Sequence, residues 1–152
     1  MSFDPREQVK DILQTVTATT DSGGVAQIIV LYSGGWENLK HLFFVNDYDA
    51  LIMIDPPTKR RSAPQKSRQD VPTRYDSDVP VHVLAVNKSD VTAAILLEKI
   101  RVDIMNTVEG SAQQALYSVY LGGVTPANSP RGGYDPLWQD NYVIEIRPFT
   151  EG

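Results

Sequence analysis

The sequence predicts an α+β fold: one mostly antiparallel sheet, with an N-terminal helix and one long helix packed on it. Three observations lead there. Val79 to Val86 (VPVHVLAV) is apolar at nearly every position, the mark of a strand covered on both faces. After the polar break Asn87-Lys88-Ser89-Asp90, the chain enters its longest helical run, which Gly110 ends. The strand-like runs earlier in the chain are joined by short turns, which favours antiparallel neighbours over parallel ones with helical crossovers.

Asp4 and Pro5 open the first helix, Asp as a cap and Pro at the favoured first position, with Val9, Ile12, Leu13 and Val16 as its apolar stripe. The Thr-rich segment from Thr15 to Thr20 and Asp21-Ser22-Gly23-Gly24 form a loop. Val25–Tyr32, His41–Val45 and Tyr48–Ile54 read as three strands, a meander turned at Ser33-Gly34-Gly35 and Asn46-Asp47. From Asp55 to Asp78 apolar residues thin out and prolines accumulate, so this reads as a long loop. Lys59, Arg60, Arg61, Lys66, Arg68 and Arg74 place six of the chain's fourteen Lys and Arg residues inside it. Ser89 or Asp90 is placed to cap the long helix, whose stripe is Val91, Ile95, Ile100, Ile104 and Val108, widened by Leu96, Leu97 and Met105. Ala115–Leu121 is a further strand, residues 122–136 a Gly/Pro-rich loop, and Tyr142–Ile146, extended to Arg147, the last strand. In that strand Tyr142, Ile144 and Ile146 face inward, and Val143, Glu145 and Arg147 face solvent.

A length of 152 residues fits a single domain, 1–152, able to bury a core without covalent staples. No apolar run approaches the roughly 18 residues that cross a bilayer, and MSFDPREQVK lacks the basic-then-apolar layout of a secretory signal. The absence of cysteine excludes disulfides, thiolate metal sites and cysteine nucleophiles. A net charge of −5 argues against general nucleic-acid binding but leaves room for a local basic patch. The Gly-Gly pairs lack the spacing of a phosphate-binding loop, and no GxSxG elbow occurs. His41 and His82 stand in apolar strand contexts without HxH or HxxxH pairing, so each reads as a half-buried strand residue and not a metal ligand. Asp55-Pro56-Pro57 after an apolar strand resembles the catalytic tetrapeptide of amino-group methyltransferases. Thr58 stands where those enzymes carry an aromatic residue, and a Gly-rich cofactor turn is missing; a proline-stiffened turn explains the motif better. The expectation is a non-enzyme without cofactor or metal, with a small S-adenosylmethionine-dependent methyltransferase-like or nucleic-acid-binding domain as the alternative.

The order of elements resembles the tail terminator and tail-completion (head–tail joining) proteins of long-tailed bacterial and archaeal viruses. The resemblance runs through the opening helix, the strands with a long central loop, and the passage from Asp78-Val79-Pro80-Val81 through Lys88-Ser89-Asp90-Val91-Thr92 to Leu96-Leu97-Glu98-Lys99-Ile100-Arg101, and it closes on Tyr142–Arg147. It implies a structural virion protein: a homo-oligomeric ring, commonly hexameric, that ends tail-tube growth and joins tail to head. The implied partners are further copies of itself, the tail tube protein and the head–tail connector protein. DNA would pass through the lumen without specific binding, and no membrane is involved. Lys59, Arg60, Arg61, Lys66 and Arg68 are the candidate partner-binding residues, meeting phosphate or an acidic neighbour, and docking on a partner is favoured because a strongly basic lumen would hinder sliding DNA. The implied location is the virion tail or neck, assembled in the host cytoplasm.

Overall fold

The computed structural model describes residues 4–33, 39–61, 75–112, 117–127, 129–130 and 137–148. Its elements in chain order are α1 (Pro5–Leu13), β1 (Ile28–Tyr32), α2 (Leu39–Phe44), β2 (Ala50–Ile54), β3 (Thr58–Arg61), β4 (Tyr75–Val86), α3 (Ala93–Gly110), β5 (Tyr117–Thr125) and β6 (Leu137–Pro148). The strands form one mixed sheet in the order β1-β2-β4-β6-β5, with β3 also pairing to β4. Only β1 and β2 run parallel; every other pair is antiparallel, so the α+β class with a long helix on the sheet holds.

β4, apolar at nearly every position from Val79 to Val86, is the middle of this sheet. Val79, Val81, Val83 and Ala85 face a core shared with α1, α3, β2 and β6, while Leu84 and Val86 face a second cluster under α2. Asp4 caps α1 by accepting from Arg6 N at 3.0 Å, and Val9, Ile12, Leu13 and Val16 are buried as their spacing requires. Arg6 crosses to the sheet, donating to the Ile54 carbonyl at 2.9 Å and lying 4.3 Å over the Tyr32 ring.

Several sequence expectations are corrected. His41–Val45 is not a strand: Leu39, Leu42 and Phe43 recur at helical spacing and turn toward the sheet, which makes the segment α2. With a helix between them, β1 and β2 pair in parallel, so the three-strand antiparallel meander does not exist. The first strand begins at Ile28, since Val25 is exposed and only bridges back to Thr19. The predicted loop 55–78 is partly hairpin: β3 pairs Thr58–Arg61 with Asp78–Tyr75, and β4 starts at Tyr75 and not Val79. Residues 62–74, including Lys66, Arg68 and Arg74, lie outside the described residues.

The chain's second half is also re-bounded. β5 runs on through Gly122 and Gly123 over a bulge instead of ending at Leu121, and Ala115 and Leu116 lie outside the described residues. A Cβ at Gly122 would stand 2.9 Å from the Glu145 carboxylate, so a side chain there would displace the Glu145 side chain. Of the expected 122–136 loop, Gly122–Thr125 is strand, and positions 128 and 131–136 are not described. β6 begins at Leu137, five residues before the expected start, and pairs with β4 over ten positions.

Neither Ser89 nor Asp90 caps α3; Asn87 Oδ1 accepts from Ala93 N at 2.8 Å instead. Asp90 is taken by the 19–25 hairpin, accepting from Ser22 N at 2.9 Å and Ser22 Oγ at 2.7 Å, and the Ser22 hydroxyl is the main cause holding its carboxyl below the ordinary value. On α3, Leu96, Leu97, Ile100, Ile104 and Val108 are buried as expected, but Ile95 and Met105 are not. No described helix is long and apolar enough to cross a membrane.

One buried ion pair pins α3 to the sheet. Asp140 on β6 is fully buried and accepts from Arg101 Nε at 3.1 Å, Arg101 Nη2 at 2.9 Å, Ala127 N at 2.8 Å and the Tyr142 hydroxyl at 3.1 Å. Burial first, then the Asp140 charge, pushes the Tyr142 phenol well above its usual range, so it remains a donor. Asp140→Ala strands the guanidinium and two further donors and is expected to cost about 3–5 kcal/mol, read from the urea midpoint. An unchanged midpoint would contradict this role.

Candidate functional site

The two faces of the sheet differ. One is sealed by α1 and α3; the other is covered by α2 only over Leu51, Met53, Leu84, Val86 and Leu137. Beyond α2, that second face turns polar. The register sets His82 beside Asn141, with Gln139 two residues along on the same face, and Asp55 follows the end of β2, its N donating to the Pro80 carbonyl at 2.9 Å. His82 Nε2 lies 2.7 Å from Asp55 Oδ2, and Nδ1 lies 2.6 Å from Asn141 Oδ1 and 3.3 Å from Gln139 Nε2. Gln139 Nε2 also donates to Asn141 Oδ1 at 2.8 Å.

Both ring nitrogens are therefore engaged by neighbours, and the imidazole acts as a strut joining β4, β6 and the end of β2. As expected, His82 is a half-buried strand residue, whereas His41 is exposed on α2. Asp55 of the Asp-Pro-Pro motif belongs to this strut, and Pro56-Pro57 lead the chain from β2 into β3. Among the described residues, no cluster of His, Asp and Glu is placed to hold a metal ion.

The same face continues to Arg147, which donates to Glu145 Oε1 at 3.2 Å and lies 4.4 Å from the Tyr120 ring centroid, with Asp76 at 3.9 Å. Asp76 pairs with Arg60 in the β3–β4 hairpin, one position from the last described pair, Arg61 and Tyr75. That hairpin brings Lys59, Arg60 and Arg61 onto one strand opposite Ser77, Asp76 and Tyr75, and the Lys59 side chain is exposed. Lys66 and Arg68 lie outside the described residues. The basic residues thus begin on a strand that extends the central β4, a placement the proline-rich composition concealed. The alternation Val143/Glu145/Arg147 did mark the solvated side of β6.

Among the described residues, large apolar side chains reach the surface at several places, Val25, Tyr32, Tyr120 and Val143 singly or on strands, and in two groups on helices. On α3, Ile95, Val102 and Met105 are 46%, 54% and 43% exposed; at the end of α2, Phe44 and Val45 are 58% and 68% exposed. The two patches lie on opposite faces of the sheet, because α3 covers one core cluster and α2 the other. The α2 patch is held in place by Lys88, whose Nζ donates to Asp47 Oδ1 and to the Tyr48 carbonyl, each at 2.9 Å. Asp47 has a left-handed φ of 59°, which turns the chain sharply after α2.

His82→Leu removes the strut and leaves Asp55 and Asn141 facing an apolar side chain. A loss of about 1–3 kcal/mol in urea unfolding is expected. Stability equal to the parent would show that the three strands do not depend on it.

Compared with models of protein families and with curated protein sequences, the chain matches none.

Proposed function

We propose that this chain is a structural virion subunit that forms a ring at the end of a virus tail tube, terminating tail growth and joining tail to head. The observation that carries the reading is the pair of exposed apolar patches on opposite faces of one sheet. A closed ring needs a heterologous interface, in which one surface of a subunit meets a different surface of the next. Apolar patches rimmed by polar residues are the surfaces that association covers. The reading keeps from the family resemblance an amphipathic first helix and a central strand leading into the long helix; the expected strand meander is absent, and the late strand β6 lies inside the sheet, between β4 and β5.

In this reading the subunit works mechanically and needs no cofactor. The sheet is the rigid plate, braced through Asp140 on one face and His82 on the other. The β3–β4 hairpin is the arm that meets the neighbouring component, with Lys59, Arg60, Arg61, Lys66 and Arg68 docking on an acidic surface. The ring is a hexamer seated between tail tube protein and head–tail connector protein, and DNA passes through it unbound.

Solution mass measured across concentration, with negative-stain imaging of the same samples, tests the reading. Closed rings are expected; a chain that stays monomeric from micromolar to millimolar concentration would contradict it. Replacing Lys59, Arg60, Arg61, Lys66 and Arg68 with Gln is expected to leave the rings intact and weaken attachment of tails to heads. Unchanged attachment would remove the docking role.

A further inference from the structure

We infer that the outer stripe of α3 is the seat for α2 of an adjacent copy, so that copies join head to tail through these two helices. The inference rests on the ring reading and names its interface. Five residues define the stripe: Ile95, Glu98, Val102, Met105 and Glu109, all exposed. Their positions step by 3, 4, 3 and 4 residues along the helix. That spacing is the seam by which one helix receives another. It differs from the buried stripe of Leu96, Leu97, Ile100, Ile104 and Val108, which faces the sheet. α3 therefore presents a second, partly apolar face, which is exposed where the inner one is buried against the sheet.

The occupant follows from charge and spacing. The α3 stripe is apolar and acidic, with Glu98 set between Ile95 and Val102. The outer side of α2 is apolar and basic: Lys40, Phe44 and Val45 are all exposed. Lys40 and Phe44 are four residues apart, one helical turn, as are Glu98 and Val102. When Phe44 covers Val102 and Met105, Lys40 stands over Glu98. From Ile95 to Met105 the stripe is about 15 Å long, and the six residues of α2 span about 9 Å. The donor helix fits within the seat. Phe44 is the anchor, an aromatic side chain already oriented by the Lys88 clasp, so little ordering remains for docking. Because the seat and its occupant are different surfaces, two copies leave one seat and one helix unused, and in the ring reading further copies add until these two meet.

The test uses the full chain in three forms: parent, Val102→Glu and Phe44→Glu. Each variant alters an exposed residue, so unchanged circular dichroism and melting confirm the fold. Each alone is expected to lose rings, with self-association weakened more than about tenfold. An equimolar mixture of the two variants is expected to give dimers and nothing larger, since one keeps its seat and the other its helix. Lys40→Glu and Glu98→Lys are each expected to weaken association, and the double variant to restore it. Rings that persist in both single-site variants would overturn this interface while leaving the ring reading intact. A monomeric parent would overturn both. A mixture that stays monomeric would show that the two surfaces are not partners.

Discussion

β4 has hydrogen-bonded strands along both of its edges, β2 and β3 on one side and β6 on the other, so everything else is placed relative to it. Its odd residues from Val79 to Ala85 build the core under α1 and α3, and Leu84 and Val86 build the core under α2. A strand buried on both faces cannot slip by one residue without moving every side chain to the wrong layer. That constraint sets the β6 register, and β6 in turn brings Asp140 under α3 and Asn141 beside His82. The two braces are thus consequences of a single pairing, one on each face.

The parts of this arrangement that follow from burial were legible in the chain. Continuous apolarity marked β4, the helical period marked α1 and the inner side of α3, and alternation marked the inward side of β6. The parts that failed involve segments whose local pattern fits two structures. His41–Val45 is a short apolar run, and only its place between two parallel strands makes it helical. Thr58–Arg61 has the composition of a loop and becomes a strand because β4 offers it a free edge. Ile95 and Met105 fall at apolar positions of α3, yet they turn outward because the sheet occupies a narrower arc of the helix than the apolar residues do. The strut of Asp55, His82, Gln139 and Asn141 was invisible, since its members come from β4, β6 and the residue after β2, whose adjacency exists only after folding.

The proposed function rests on the outward residues of α3, not on the inward ones. In the proposed ring, the apolar and acidic outer face of α3 is the surface that a neighbouring copy covers, and α2 on the opposite face offers an apolar and basic match. The interior supports this by rigidity: Lys88 fixes the end of α2, Asn87 caps α3, and Asp90 ties the 19–25 hairpin to the start of α3. Both contact surfaces are therefore held at a set angle across the sheet. The angle between them, and not the strength of either patch, decides how many copies close a ring.

The proposed head-to-tail contact is open to a covalent test, because the chain contains no cysteine of its own. Lys40→Cys and Glu98→Cys placed together in one chain, which leaves the Phe44 anchor and its seat intact, oxidised under native conditions, are expected to yield a ladder of disulfide-linked species that ends at the mass of the closed ring. Each substitution alone is expected to yield no cross-link, since neither surface meets its own copy. Cross-linked dimers from either single variant, or no ladder from the double variant, would contradict a ring built by seating α2 of one copy on α3 of the next.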